Sequence, residues 1–148
     1  MIYYHGTSLK RGIQIKKDGI IKTTTLENTV YPRTELSKTS LGYVYLTTDI
    51  EKAVDFALRP MPKNQEMKIV IFEIELDEAQ LEVDSDEKRH DPFSDTEYRI
   101  GRDLVLGKDV HRYWSIEFND YQHACRFMDS KIISQTANKH WKNIIKTF

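Results

Sequence analysis

At 148 residues the chain has the length of one domain, and a 39% hydrophobic fraction with two Trp, eight Tyr and six Phe supplies a core and excludes a disordered polymer. Its 22 basic residues nearly cancel 23 acidic ones, which excludes a protein held to nucleic acid or an anionic membrane by overall charge and leaves only local patches open. The single cysteine, Cys125, excludes an intramolecular disulfide framework and a multi-cysteine zinc module.

In chain order, Ile2-Tyr3-Tyr4 is β-branched and aromatic and predicts a short strand ending at His5-Gly6. Ser8 is placed to cap a short helix through Leu9, Ile13, Lys16 and Lys17, stopped by Gly19, and Ile20-Ile21 reads as a brief extended piece. Residues 22–42, rich in Thr, Ser and Asn with Pro32 inside, read as a long loop. Gly42 to Thr47 predicts a second strand. Thr48 with Glu51 has the form of a capping box for a helix through Ala53, Val54, Phe56 and Ala57. That helix ends near Arg59, because Pro60 disfavours helical geometry in the residue before it.

Lys68 to Leu76 is a central-strand candidate, and the acidic stretch 77–96 reads as surface loop around a short strand at Leu81 to Val83. Glu97 to Ile100, Leu104 to Leu106 and Tyr113 to Phe118 read as further strands, punctuated by Gly101 and Gly107, and Asp120 to Phe148 reads as helical with a break near 134–138. This order predicts an α+β fold in one domain, 1–148, with a core over about 2–118 and a helical tail over about 119–148. No basic segment followed by a long apolar run opens the chain, and the longest apolar run in its middle, Ile69 to Phe72, is far short of a membrane span. The expectation is a cytoplasmic protein with no membrane partner.

Three separated features can carry chemistry. His5-Gly6 at a strand end can aim an imidazole at a ligand hydroxyl while the bare Gly6 backbone approaches the same ligand; taken alone, the pair equally ends a strand in a turn. Tyr43 and Tyr45 share one strand face, and Tyr45 with Phe56 can sandwich a planar ring, while Phe56 alone fits the apolar stripe of a helix. Glu97 opens a strand after a polar loop, where a carboxylate can stabilise positive charge developing on a sugar carbon or simply sit in solvent. The five histidines, at 5, 90, 111, 123 and 140, contain no pair at three- or four-residue spacing, so no metal site is expected. Neither a Gly-Lys-Ser/Thr phosphate loop nor a Gly-x-Gly-x-x-Gly fingerprint occurs, which argues against a Rossmann domain.

Taken together, His5-Gly6-Thr7, Gly42-Tyr-Val-Tyr45 followed eleven residues later by Phe56, and Glu97-Tyr-Arg-Ile with Asp109-Val-His-Arg-Tyr113 downstream resemble the ADP-ribosyltransferase superfamily, in its histidine–tyrosine–glutamate branch of diphtheria toxin and the poly(ADP-ribose) polymerases. The resemblance covers about residues 2–118 in the family's order. It implies a split β-sheet core with short flanking helices, holding NAD in a cleft as co-substrate, with no metal. His5 would bond a ribose hydroxyl, Gly6 main-chain groups would hold the nicotinamide amide, and Thr7 would complete the first cofactor-binding motif. Tyr45 would stack on the nicotinamide ring with Phe56 behind it. Glu97 would bond the 2′-hydroxyl of the nicotinamide ribose and favour an oxocarbenium-like transition state.

The implied activity is mono-ADP-ribosyl transfer to a macromolecular acceptor, nucleic acid or protein, by a toxin or defence effector whose own partner is an antitoxin or immunity protein. Alternatives are an NAD-dependent RNA 2′-phosphotransferase-like enzyme, or a silent domain binding NAD, ADP-ribose or a protein. Phe56 departs from the second tyrosine of many relatives, and Ala53 from a serine that in some relatives helps hold the nicotinamide amide. Acceptor choice is expected in the loops: Asp84 to Thr96, with Arg89, His90 and Phe93, and residues 22–42, with Tyr31 and Arg33. The tail, with Arg126, Lys131, Lys139, Lys142 and Lys146 beside Tyr121 and Trp141, offers a local basic excess that suits either a nucleic acid or plain solvent.

Overall fold

The computed structural model describes residues 1–25, 41–61, 67–85, 88, 92–93, 95–129 and 145–147, with 126–129 and 145–147 described by their backbone. Strand β1 (Ile2–Ser8) runs into helix α1 (Leu9–Asp18), then β2 (Ile20–Ile21), β3 (Val44–Thr47), α2 (Ile50–Leu58) and β4 (Met67–Glu75). A single 3-10 turn (Glu78–Gln80) precedes β5 (Glu82–Val83), β6 (Glu97–Ile100), β7 (Leu104–Val105), β8 (Val110–Phe118), α3 (Tyr121–Asp129) and β9 (Ile145–Thr147). Seven strands form one antiparallel sheet in the order β5-β6-β3-β1-β4-β8-β9, and β2 pairs with β7 in a small second sheet. The fold is mixed α+β, mostly antiparallel sheet with few helices. No helix among the described residues is long and apolar enough to cross a membrane.

β4 lies between β1 and β8, and its nearly unbroken run Met67-Lys-Ile-Val-Ile-Phe-Glu-Ile is what a strand covered on both faces requires. Its odd-numbered side chains, Ile69 and Ile71, pack under Ala53, Val54, Ala57 and Leu58 of α2 with Ile116 and Phe118 of β8. Its even-numbered side chains, Val70, Phe72 and Ile74, join Tyr3, Leu46, Ile100, Leu104 and Val110 on the other face, where Leu9 and Ile15 of α1 complete the layer. The two faces of one strand therefore seed the two halves of the core. α1 begins where the Ser8 hydroxyl accepts from the Arg11 amide and ends at Gly19, whose φ of 75° is the left-handed conformation a helix stop needs.

Several local expectations change. β1 continues to Ser8, because Gly6, Thr7 and Ser8 go on pairing with Ile71, Val70 and Ile69 of the long β4. The cap of α2 is Asp49 and not Thr48: the Asp49 carboxylate accepts from the Glu51 amide at 2.9 Å, while the Thr47 hydroxyl accepts from the Asp49 amide at 3.0 Å. β8 starts at Val110, three residues before the expected Tyr113. The tail is helical over Tyr121–Asp129, but its end returns as β9, pairing Ile145 with Ile116, so a wholly helical tail is corrected to a helix and an edge strand. The expected break at 134–138 lies outside the described residues.

Candidate active site

The seam between β1 and β3 organises the candidate residues. These strands pair at a single position, Tyr4 opposite Thr47, although β1 pairs with β4 along its whole length. Beside that pair, the main-chain oxygen of Tyr45 is met by the His5 ring, Nδ1 at 2.9 Å. A side chain thus stands where a ladder bond between strands would otherwise run.

The chemistry of His5 follows from that contact. Burial drives its pKa below the ordinary histidine value and the nearby Arg11 charge adds to this, while the bond to the Tyr45 carbonyl opposes it. The imidazole is therefore neutral near pH 7. A carbonyl only accepts, so Nδ1 carries the proton and donates, which leaves Nε2 as an acceptor. That is the polarity needed to take a hydrogen bond from a ligand hydroxyl.

Gly6 is the next residue, and α2 lies against it: a Cβ at this position would collide with the carbonyl group of Ala53 and stand 3.2 Å from the Ala57 methyl. The position accepts glycine alone without moving the helix. Thr7 is buried and opposite Val70. Ala53 is buried in the cluster under α2.

Glu97 begins β6 directly opposite Thr47, which is itself opposite Tyr4. The row continues through Glu73 on β4 to Arg112 on β8, whose Nε lies 2.8 Å from the Glu73 carboxylate. Glu97 is only 4% exposed, and the Thr96 hydroxyl donates to its Oε1 at 2.9 Å. Thr47, fully buried, stands beside it on β3. Tyr45 is half-buried two residues back along β3, its ring centroid 6.4 Å from that of Tyr43.

Side chains directly opposite one another in a sheet share a face, so Tyr4, Thr47, Tyr45, Glu97 and Arg99 start from the face that α2 covers. His5 starts from the other, in ring contact with Phe72 at 6.4 Å. The structure thus brings His5 and Tyr45 together through a main-chain bond, and Tyr45 and Glu97 together through a shared face. His5 and Glu97 occupy nearby strands but set out from opposite sides.

Phe56 lies on the outer part of α2, half-exposed, with the Arg59 guanidinium 4.7 Å and the Lys52 ammonium 5.7 Å from its ring centre. It belongs to neither buried cluster. Of the loop ahead of Glu97, Phe93 is 95% exposed and Asp84 is buried, whereas Arg89 and His90 lie outside the described residues. Tyr31 and Arg33 also lie outside them; among the described residues on either side, the Thr24 amide donates to the Tyr43 carbonyl, and the Gly42 amide to the Thr24 carbonyl. The tail residues Lys131, Lys139, Trp141 and Lys142, and the side chains of Arg126 and Lys146, lie outside the description too. Among the described residues, no three His, Cys, Asp or Glu side chains gather as metal ligands.

Two neighbours of this site escaped sequence reasoning. Thr47, in the sequence only the end of a strand, occupies the position between Tyr4 and Glu97. Arg99, two residues beyond Glu97, faces Tyr45 across the ladder and carries its guanidinium 4.1 Å above the Tyr43 ring. The two-residue period from Glu97 to Arg99 was the available signal.

No protein-family model matches the chain, and no curated protein matches it. Among solved structures, an X-ray structure of a Caulobacter crescentus protein aligns with 14% sequence identity, covering 78% of this chain and 86% of that one, at a TM-score of 0.48.

Proposed function

We propose that the protein is a mono-ADP-ribosyltransferase of the split-sheet type, using the seam between β1 and β3 to hold NAD as co-substrate. The observation that carries this reading is the seam itself: one paired position, a neutral histidine bridging to the Tyr45 carbonyl, and a buried glutamate on the strand beyond. These residue types match the demands of the ligand. His5 Nε2 would accept from a ribose hydroxyl. The Tyr45 ring would offer a face to the nicotinamide, and Glu97 would hold the adjoining 2′-hydroxyl.

When bound, NAD supplies a ribose carbon whose bond to nicotinamide is weakened by the positively charged ring. The Glu97 carboxylate would stabilise the positive charge growing on that carbon as the nicotinamide leaves with the bonding pair. The acceptor's oxygen or nitrogen would then bond the same carbon and lose its proton. At an effective dielectric near 20, a charge pair about 4 Å apart is worth roughly 4 kcal/mol, on the order of a thousandfold in rate. The same reading carries a cytoplasmic toxin or defence role.

The test is nicotinamide release from labelled NAD, in the presence of protein, DNA and RNA fractions, by wild type and Glu97→Gln. The expected result is a loss on the order of a thousandfold in Glu97→Gln with NAD affinity little changed. Equal turnover by the two proteins removes Glu97 from the chemistry. NAD binding with no turnover in wild type favours a silent binding domain.

A further inference from the structure

The residue next to this site with unspent bonding capacity is Arg99. Its Nε donates to Glu82 at 3.2 Å across the β5–β6 ladder, and its guanidinium is stacked on Tyr43 at 4.1 Å. Nη1 is buried and has no hydrogen-bond acceptor among the described residues. Buried guanidinium donors are normally satisfied, and the planar donor fork of arginine, here held against an aromatic face, matches the oxygens of a phosphate. Arg99 also shares a sheet face with Glu97 and Tyr45. Glu82 holds one edge and Tyr43 covers one flat face, so the guanidinium is oriented before any ligand arrives. A fixed cation loses less freedom on binding than a mobile surface lysine.

The geometry points to Arg99 as a binding residue for a phosphate group on a ligand lying along Tyr43, Tyr45 and Glu97. Two sources share that chemistry: the pyrophosphate of NAD itself, and the backbone of a nucleic-acid acceptor. The position of the phosphate beside Glu97 rests on the NAD reading of the site; the affinity of Arg99 for phosphate does not.

The test is binding of ADP-ribose, inorganic pyrophosphate and a single-stranded oligonucleotide, by calorimetry at two salt concentrations, to wild type, Arg99→Met, Arg99→Lys and Glu82→Gln. Loss of a charge-assisted hydrogen bond predicts about ten- to hundredfold weaker binding in Arg99→Met. Arg99→Lys is expected to recover part of it, and Glu82→Gln, which keeps the cation, to bind at least as tightly as wild type. Weakening confined to ADP-ribose and pyrophosphate identifies the NAD source, and weakening confined to the oligonucleotide identifies the acceptor.

Equal binding by wild type and Arg99→Met overturns the proposal and leaves the NAD reading standing. Arg99-dependent binding of pyrophosphate or oligonucleotide without nicotinamide release from NAD keeps the phosphate site and removes the NAD reading. No binding of any probe to wild type overturns the proposal, and nicotinamide release from NAD then decides the NAD reading by itself. If Arg99→Met fails to fold, Arg99→Lys decides, because an ammonium cannot reproduce the planar donor set: weaker binding than wild type supports the proposal, and unchanged affinity for every probe overturns it.

Discussion

The imidazole of His5 donates to the main-chain oxygen of Tyr45 at 2.9 Å, so the first motif of the chain and its second are joined by one hydrogen bond across the seam. Burial holds this histidine below its ordinary pKa of 6.5. The sign of the resulting pH dependence follows. Well above that value the ring is neutral in both folded and unfolded chains and adds no slope. Below it the unfolded chain takes a proton that the folded ring resists, so stability falls until the folded pKa is passed. His5→Gln keeps a donor for Tyr45 and does not titrate. Melting curves should show wild type losing stability relative to His5→Gln as the pH falls below the ordinary histidine value of 6.5. Parallel profiles would place the ring in water.

Gly6 and Gly12 predict two different kinds of steric cost. A Cβ on Gly6 meets the Ala53 main chain, which cannot move without moving α2, and a Cβ on Gly12 meets the Val70 side chain. Gly6→Ala should cost about 3 kcal/mol, roughly 6–12 °C in Tm for a domain of this size. Gly12→Ala should cost less, and less again in a Val70→Ala background, where both γ-methyls are gone and only the β carbon, 2.8 Å from the added one, still has to give way. A thermal double-mutant cycle checks both. Additive losses for Gly12→Ala and Val70→Ala would mean that α1 does not press on that strand.

How much of this was legible beforehand depends on how local each cause is. Ser8 and Gly19 announce a helix start and stop through their own backbone chemistry, and both act that way. β4 was legible from its continuous apolar run, since few other environments accept one. Asp49 was missed because it competes with Thr48 for the same role, and the winner is set by the bond from the Asp49 amide to Thr47. β9 was missed because its only reason to be extended is β8, about thirty residues away in sequence. For the site, the two-residue period showed that Tyr43 shares a face with Tyr45. That His5 sets out from the opposite face to Glu97 depends on Tyr4 meeting Thr47 and Thr47 meeting Glu97, a register that no single strand encodes.

Asp109 supports the fold at the turn that leads into β8. Its carboxylate takes both Nη atoms of Arg102 at 3.0 Å and the Val105 amide at 2.8 Å, fixing the turn between β7 and β8. The Arg102 bonds above all, with the Val105 bond beside them, hold the carboxyl below its usual range despite burial. A depressed carboxyl stabilises the fold above its unfolded pKa near 3.8 and loses that contribution as pH falls through the folded value. Arg102 is 39% exposed along its side chain, so solvent screens part of the pair. Asp109→Asn should cost about 1–3 kcal/mol at neutral pH, and its gap from wild type should close below about pH 4. Urea titrations at both pH values measure this, and a gap independent of pH would mean that the charge is not what matters.

Phe56 separates a ligand contact from a surface contact. Its ring is flanked by Lys52 and Arg59 and is absent from both buried clusters, so Phe56→Ala should cost the fold about 1 kcal/mol or less. If the ring backs the nicotinamide, the same change removes a stacking partner worth up to about 1.5 kcal/mol, which raises KM for NAD about tenfold and leaves kcat within about twofold. Phe56→Tyr keeps the ring and should keep KM. Steady-state nicotinamide release by the three proteins reads this directly. An unchanged KM in Phe56→Ala would assign the ring to the cationic outer surface of α2, and the second wall of the nicotinamide pocket would then have to come from another element.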